Sequence, residues 1–146
     1  MSEFRKLSET VLASPQLVAD DIAAARVQGV SLVVNNRPDG EEPDQPTGAE
    51  IARAARAAGL DYLAIPIDRS GYSAAQVEAM ANALDKAEGK VLAYCRTGTR
   101  STFLWALAAA SRGSKPADLV EAAAAAGYDL SPILPALDQL AARSPG

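Results

Sequence analysis

The chain has 146 residues, of which 49% are hydrophobic, and carries a formal net charge of −4 at pH 7. This length suits one domain with its own core, so we expect a single domain over residues 1–146, and the acidic balance argues against a nucleic-acid partner, whose binding depends on Lys and Arg contacts to phosphates. One cysteine and no histidine exclude an internal disulfide and Cys–His or Ser–His nucleophile pairs, and argue against a conventional zinc site.

The first part of the chain alternates predicted strands with predicted helices. Residues 4–13 indicate a short strand or hairpin, and Ser14, which precedes a proline, is the expected N-cap of a helix that Gly29 ends. The β-branched run over residues 30–35 predicts a strand that is covered on both faces. Residues 36–46 are rich in Pro, Asp, Gly and Glu and therefore form a loop.

The same alternation continues to the C-terminus. Two capping boxes, in which a Ser or Thr and a Glu or Gln three residues later satisfy the N–H groups of a helix start, mark the next helices. The pairs are Thr47 with Glu50 and Ser73 with Gln76. Further strands are predicted over residues 62–67 and 90–94. Three helical patterns follow, at about 101–112, 115–126 and 131–142, with Ser114 and Ser131 as expected N-caps of the last two.

Strands separated by helices of about 10 to 15 residues imply right-handed crossovers. The predicted fold is α/β, with a central, mostly parallel sheet of four or five strands flanked by helices and an all-helical C-terminus. In such sheets ligands bind outside the carboxyl ends of the strands. Cys95 directly follows one of these ends.

The stretch from Cys95 to Ser101, with the sequence CRTGTRS, stands between the last predicted strand and a helical pattern. At such a turn, N–H groups without intrahelical partners and the positive end of the helix dipole can hold an anion. Arg100 adds a planar fork that suits two oxygens of phosphate or sulfate. The same field favours thiolate over thiol, so the loop would hold a nucleophile and an oxyanion together. The candidate phosphate-binding residues are Arg96, Thr97, Gly98, Thr99 and Arg100.

A structural interpretation of Cys95 stays open beside this one. Free cysteine is among the residue types most often buried, and the loop could simply turn the chain. Two features favour the functional interpretation. Gly98 permits a backbone conformation or a close ligand approach that is closed to other residues, and Arg96 and Arg100 place positive charge around a thiol in an acidic protein.

The loop resembles the active-site loops of cysteine-based phosphatases and of rhodaneses, which share the pattern C-x(n)-R-[ST]. The phosphatase resemblance implies that Cys95 is the nucleophile, that Arg100 clamps the phosphate, and that the Ser101 hydroxyl assists the leaving thiolate. The phosphatase loop is usually H-C-x5-R-[ST], whereas this chain has C-x4-R, with Tyr94 in place of the histidine. A six-residue loop is typical of rhodaneses, whose cysteine carries a persulfide.

The wider order of elements resembles the dual-specificity phosphatase fold. More narrowly, the motifs N-N-R-P-D-G-E at 35–41 and Y-C-R-T-G-T-R-S at 94–101 are similar to those of the bacterial phosphatase-like domain found alone or fused in beta-lactamase-hydrolase-like proteins. The similarity covers residues 5–112. A rhodanese would carry an Asp-x-Arg strand turn near the N-terminus, which this chain lacks. The upstream pattern therefore favours the phosphatase fold, while the loop length favours sulfur chemistry.

Phosphatase chemistry also needs a proton donor for the leaving group, and a carboxylic acid commonly supplies it. Asp68 follows a predicted strand end, and its placement matches the general-acid loop of the resembled phosphatases. Asp68 could equally cap a turn or pair with Arg69. Asp39 is the second candidate, although Asp-Gly after Pro is also an ordinary turn. Arg37 could extend the positive rim of the site, and we favour instead a structural pairing in which it orients Asp39 or Glu41.

These patterns predict a cysteine-dependent phosphatase that hydrolyses phosphomonoesters, either phosphotyrosine-like or small aryl phosphates, through a phosphocysteine intermediate, without metal or organic cofactor. The expected substrate is a phosphorylated small molecule or phosphoprotein. The alternatives are a rhodanese-like sulfurtransferase that uses Cys95 as sulfur carrier and a non-catalytic oxyanion-binding module. The chain has no apolar stretch of the ~20 residues needed to span a bilayer, no apolar region typical of a signal peptide at its start, and a single free thiol, so we expect a cytoplasmic protein without a membrane partner.

Overall fold

The computed structural model describes residues 4–143, so the ends of the domain predicted over residues 1–146 lie outside the described residues. The strands of this part are Arg5–Lys6 (β1), Val11–Ser14 (β2), Val30–Asn35 (β3), Asp61–Ala64 (β4) and Lys90–Tyr94 (β5). They form one sheet in the spatial order β1-β2-β5-β3-β4. β1 pairs antiparallel with β2, and the β2–β5, β5–β3 and β3–β4 pairings are parallel. The predicted α/β fold with a mostly parallel central sheet is therefore confirmed.

Helices connect the strands and complete the chain after β5. The α-helices between residues 4 and 143 are Ala19–Val27 (α1), Gly48–Ala57 (α2), Ala74–Lys86 (α3), Thr99–Ser111 (α4), Pro116–Ala125 (α5) and Leu134–Arg143 (α6). A short 3-10 helix, Ser131–Ile133, leads into α6. Everything regular after β5 is helical, as predicted. Within the described part of the chain, no helix has the length and apolar character needed to cross a membrane.

Alternate side chains of the sheet enter two separate hydrophobic clusters. Leu92 and Tyr94 of β5 belong to the cluster that packs against α1 and α2, whereas Val91 and Ala93 belong to the cluster formed with α3 and α4. This period of two is that of a strand covered on both faces. Because β5 lies between β2 and β3 and is packed from both sides, the end of β5 holds Cys95 at the middle of the sheet edge.

The helix that follows Cys95 is buried on most of its circumference. Leu104 and Ala108 lie close to one another on one face of α4, and Ala106 lies about 200° around the helix from each of them. All three are fully buried. A helix that is apolar on all sides belongs in a core, and α4 lies against both α3 and α6. The loop between β5 and α4 is therefore held between the central strand and the central helix.

The N-cap predicted at Ser14 is wrong. Ser14 is the last residue of β2 and pairs with Tyr94, because a residue before proline prefers extended backbone. α1 begins four residues after Pro15, with Val18 as its N-cap. The side chain of Asp21 accepts the N–H of Val18 at 2.8 Å and supplies the capping hydrogen bond.

The N-caps predicted at Ser114 and Ser131 are also wrong. α5 begins at Pro116, with Lys115 as N-cap, since proline at the first position needs no N–H partner. Ser131 starts the 3-10 helix, and its hydroxyl donates to Asp129 Oδ1 at 2.6 Å. The Ser131 hydroxyl is therefore engaged in a local turn and does not serve as the capping group of a helix.

The strand predicted over residues 62–67 is shorter in the structure, where β4 ends at Ala64. Pro66 has no N–H and interrupts the ladder. The N–H groups of Ile65 and Ile67 still donate to carbonyl oxygens at the end of β3, at 2.9 Å each. The chain after β4 therefore stays attached to the sheet edge and leads the following loop toward the Cys95 loop.

Candidate active site

The conformation of the Cys95 loop depends on Gly98, which packs closely against the side chain of Tyr128. Gly98 is the N-cap of α4 and has φ 93°, a left-handed conformation that L side chains rarely adopt. A Cβ atom at this position would overlap the hydroxyl of Tyr128. That hydroxyl donates to the carbonyl oxygen of Thr97 at 3.1 Å. Glycine is thus required both by the backbone and by the close approach of Tyr128, which supports the loop from below.

The thiol of Cys95 lies inside this loop. Cys95 is fully buried, and the N–H of Gly98 donates to its Sγ atom at 3.1 Å. The sulfur therefore has a backbone donor at the first turn of α4, where the helix dipole is positive. This is the donor environment that the sequence predicted for a thiolate, and the thiolate itself stays a prediction.

Arg100 keeps part of its guanidinium available for a ligand. Nη1 donates to Glu41 Oε2 at 2.7 Å and to the Ile67 carbonyl at 2.9 Å, and Nη2 donates to Glu41 Oε1 at 2.9 Å. An arginine has five N–H donors, so the Nε–H and the second Nη2–H, which share one edge, remain, and Arg100 also forms a hydrogen bond with the Cys95 side chain. The hydrogen bond to Glu41 raises the pKa of Arg100 and nearby Cys95 adds to it. Arg100 thus lies beside the sulfur with a two-donor edge.

Glu41 is a candidate site residue that sequence reasoning indicated only indirectly. Hydrogen bonds from Arg100, the largest cause, and from Arg37 lower the pKa of its carboxyl group from 4.5 to about 2. Arg37 had Asp39 and Glu41 as alternative predicted partners, and it contacts Glu41, Nε to Oε1, at 2.9 Å. Glu41 is therefore a fixed anion between two arginines. The signal was its place in the N-N-R-P-D-G-E motif.

Neither aspartate predicted as general acid contacts Cys95 or Arg100. Asp68 is exposed, and its Oδ1 accepts from the hydroxyl of Ser70 at 2.6 Å and from the Ser70 N–H at 2.8 Å, which together lower its pKa. Asp39 Oδ1 accepts the N–H of Gly48 at the start of α2, at 2.8 Å. Asp68 is bound within its own turn and Asp39 at the start of α2, so the choice of acid stays a prediction.

The hydroxyl of Ser101 has an acceptor other than the sulfur. Ser101 is fully buried, and its hydroxyl donates to Asn36 Oδ1 at 2.8 Å. The orientation of the Asn36 amide is fixed because its Nδ2 donates to the Ile65 carbonyl at 2.9 Å. This chain of bonds ties the first turn of α4 to the ends of β3 and β4. The assistance of Ser101 to the leaving thiolate remains a prediction, and it requires the hydroxyl to turn.

The remaining loop side chains face the outside. Arg96 is 64% exposed, with one contact from Nε to Glu42 Oε1 at 3.4 Å. Thr97 donates its hydroxyl proton to Thr99 Oγ1 at 3.0 Å. Arg96 is therefore available to an incoming anion, in contrast to the fixed Arg100. Within residues 4–143, no group of three or more His, Cys, Asp or Glu side chains is arranged to hold a metal ion.

A largely apolar cavity lies beside Tyr72, and no residue of the 95–101 loop lines it. Its volume is about 430 Å³, and its walls come from α3, α4 and α6, with Tyr72 among the lining residues. Burial, with Cys95 as the second cause, raises the pKa of Tyr72 to about 12. The Tyr72 ring lies 6.3 Å from that of Phe103. Trp105, another aromatic residue of α4, is buried in the core.

Comparisons with known proteins agree with this arrangement. Residues 3–112 match the sequence model of the phosphatase-like domain of beta-lactamase hydrolase-like proteins. The beta-lactamase hydrolase-like protein of Xylella fastidiosa is 35% identical over 140 residues, which are 95% of this chain and 32% of that protein. The chain thus spans about a third of the length of the curated relatives it matches.

Solved structures share the fold over nearly the whole chain. A phosphatase candidate from Neisseria meningitidis has 34% identity and a TM-score of 0.81, over 93% of this chain and 96% of that one. A cysteine-to-serine variant of TpbA from P. aeruginosa, solved in complex with phosphotyrosine, has 20% identity and a TM-score of 0.65, over 95% of this chain and 88% of that one. The resemblance to phosphatases, which are hydrolases, is confirmed. The chain belongs to the family of phosphatase-like domains found in beta-lactamase hydrolase-like proteins.

Proposed function

We propose that this chain is a cysteine-dependent phosphatase in which Cys95 attacks a phosphomonoester and forms a phosphocysteine intermediate. The observation that carries the proposal is the two-donor edge of Arg100 beside the buried sulfur, together with the N–H of Gly98 at 3.1 Å from that sulfur. Two parallel N–H donors on one guanidinium edge suit two oxygens of one phosphate group. The Cys95 nucleophile would therefore lie next to the site that binds the phosphate oxygens.

The first step would transfer the phosphoryl group to sulfur. The Cys95 thiolate attacks phosphorus, an S–P bond forms, and the ester P–O bond breaks. The charge that spreads over the phosphoryl oxygens is stabilised by the loop N–H groups and by Arg100. The departing alkoxide or phenoxide takes a proton from a carboxylic acid, for which Asp68 is the candidate.

The second step would regenerate the thiolate. A water molecule attacks phosphorus of the phosphocysteine, its proton passes to the carboxylate that gave one up before, and the S–P bond breaks to release inorganic phosphate. Ser101 would donate its hydroxyl proton toward the leaving sulfur after turning from Asn36. No metal or organic cofactor enters these steps.

Asp68 would reach the substrate only after its loop moves. In the structure its carboxylate is bound by Ser70, which favours the ionised form. Gly71, two residues before α3 is capped, has φ 95° with no atom within 4 Å of a Cβ built there, so the loop is not packed at this point. A closing motion that separates Asp68 from Ser70 would restore a more ordinary pKa and bring the acid to the leaving group.

The substrate class follows from the surroundings of the loop. Tyr72 interacts electrostatically with Cys95 and Arg100, and with the neighbouring Phe103 ring it provides half-buried aromatic surface near the loop, which suits an aromatic leaving group. The phosphotyrosine complex of TpbA supports the same class by analogy of fold. We propose phosphotyrosine-like or small aryl phosphates, on a small molecule or a phosphoprotein, as substrates. A reducing compartment such as the cytoplasm would keep the thiol free.

A sulfurtransferase is the second candidate, because the loop has the C-x4-R length. The test compares two assays on the same preparation: release of phosphate from para-nitrophenyl phosphate, and formation of thiocyanate from thiosulfate and cyanide. The proposal expects turnover in the first assay, abolished by Cys95→Ser and largely kept by Arg96→Lys. Turnover in the second assay alone would establish the sulfurtransferase, and binding of phosphate without either turnover would establish an oxyanion-binding module.

A further inference from the structure

Arg37 is a buried cation that the steps above do not use. Its side chain is 3% exposed. Nε donates to Glu41 Oε1 at 2.9 Å, Nη2 to Glu42 Oε1 at 2.7 Å, and Nη1 to Gln16 Oε1 at 3.0 Å. Burial of a guanidinium is costly unless its donors are paired, and here three separate acceptors converge on it. Such a group fixes the positions of its partners.

Glu41 connects the buried Arg37 to Arg100 at the anion site. Its Oε1 accepts from Arg37 and from Arg100 at the same distance of 2.9 Å, and its Oε2 accepts from Arg100 at 2.7 Å. The carboxylate therefore meets the end of the Arg100 guanidinium formed by Nη1 and Nη2. The Ile67 carbonyl takes the other hydrogen of Nη1 at 2.9 Å. The edge formed by Nε and Nη2 remains, and it is available to the Cys95 sulfur and to a ligand.

We propose that the Arg37–Glu41 pair positions Arg100, by holding the end of its guanidinium so that the Nε–Nη2 edge faces the oxyanion. The proposal rests on the proposed function only in taking phosphate as that oxyanion. Arg37 and Glu41 are positioning residues, since neither donates to the ligand. Without Arg37, Glu41 loses one of its two cationic anchors, and the Arg100 fork is free to rotate with it.

The test measures the affinity for inorganic phosphate without any need for turnover. Phosphate at the loop would protect Cys95 from alkylation by iodoacetamide, so the dissociation constant follows from the protection curve. The variants Arg37→Met and Glu41→Gln are compared in the native background and in the Arg100→Lys background, because lysine cannot present a two-donor edge. Glu42→Gln is the matched control, since it removes the other carboxylate bound to Arg37 and leaves Glu41 in place.

Loss of a charge-assisted contact of this kind is worth about tenfold in affinity. We expect Arg37→Met and Glu41→Gln to weaken phosphate binding by about tenfold where Arg100 is present, and by less than about twofold in the Arg100→Lys background. Arg37→Lys should restore part of the affinity. Glu42→Gln should change it by less than about twofold.

An equal loss in both backgrounds, or no loss in either, would overturn the proposal. If thermal unfolding shows that Arg37→Met does not fold, Glu41→Gln decides by the same two criteria. A failure of the proposed phosphatase function would be distinguished by a separate measurement, the hydrolysis of a phosphomonoester. In that case the coupling to Arg100 appears in phosphate binding while no phosphomonoester is hydrolysed, whereas Cys95-dependent hydrolysis without the coupling would reject the positioning role alone.

Discussion

Replacement of Gly98 by alanine tests whether Tyr128 supports the loop. Alanine at φ 93° costs about 1–2 kcal/mol of backbone strain. The new Cβ would overlap the Tyr128 hydroxyl and lie 3.0 Å from its Cζ atom. Displacing this ring costs about 1–3 kcal/mol in a packed interior, and loss of its bond to Thr97 costs about 1 kcal/mol more. The expected loss in the free energy of unfolding is thus about 3–6 kcal/mol, or roughly 10–20 °C in Tm.

Gly29→Ala is the matched control for this prediction. Gly29 has φ 92°, and no atom lies within 4 Å of a Cβ built there, so alanine meets the backbone strain alone. Urea denaturation should show Gly98→Ala to be about 2 kcal/mol more destabilising than Gly29→Ala. Adding Tyr128→Phe to Gly98→Ala should recover part of the difference, since the nearest clashing atom is removed. Equal losses at Gly98 and Gly29 would refute the supporting role of Tyr128.

Three further predictions concern the chemistry. Arg100→Lys keeps the charge but not the two-donor edge and should reduce kcat/KM for an aryl phosphate by about 100-fold, against less than about threefold for Arg96→Lys; the reverse order would exchange their roles. Ser70→Ala removes the hydroxyl that lowers the pKa of Asp68 most, so the pKa rises and the high-pH limb of the kcat/KM profile should move to higher pH; an unchanged profile would argue against Asp68 as the acid. Asp68→Asn should spare activated aryl phosphates and slow phosphotyrosine by about 100-fold, with Asp39→Asn as control; equal losses on both substrates would make Asp68 a structural residue.

The fold was predictable because its signals are local and strong. The β-branched run of β3 and the apolar run of β5 alternate with capped helices, and this order permits few topologies other than a parallel sheet. The box formed by Ser73 and Gln76 is present, with both hydrogen bonds formed at the start of α3. The caps predicted at Ser14, Ser114 and Ser131 are wrong. Ser14 pairs within the sheet, Pro116 starts α5 one residue later than expected, and the Ser131 hydroxyl is bound in a local turn. Propensity alone does not resolve such competition.

The position of the site was predictable, and its electrostatic support was not. Cys95 and Arg100 stand in one short motif, and the topology places that motif at the carboxyl end of a central strand. The hydrogen bonds from Arg100 to Glu41 cross 59 residues of sequence, and that from Tyr128 to Thr97 crosses 31. No periodicity or spacing encodes such contacts, since they depend on how α4 and the N-N-R-P-D-G-E loop pack together.

The measurement that tests the central claim most directly is the identification of the covalent intermediate. The native protein is mixed with para-nitrophenyl phosphate, quenched in acid within the first turnovers, and digested for mass spectrometry of the peptide that contains Cys95. The account predicts a phosphoryl group on Cys95, absent in Cys95→Ser, with a burst of para-nitrophenol that matches the labelled fraction. Two results would contradict the account. One is continued hydrolysis by Cys95→Ser, and the other is that Cys95 accepts only a sulfur atom and no phosphoryl group.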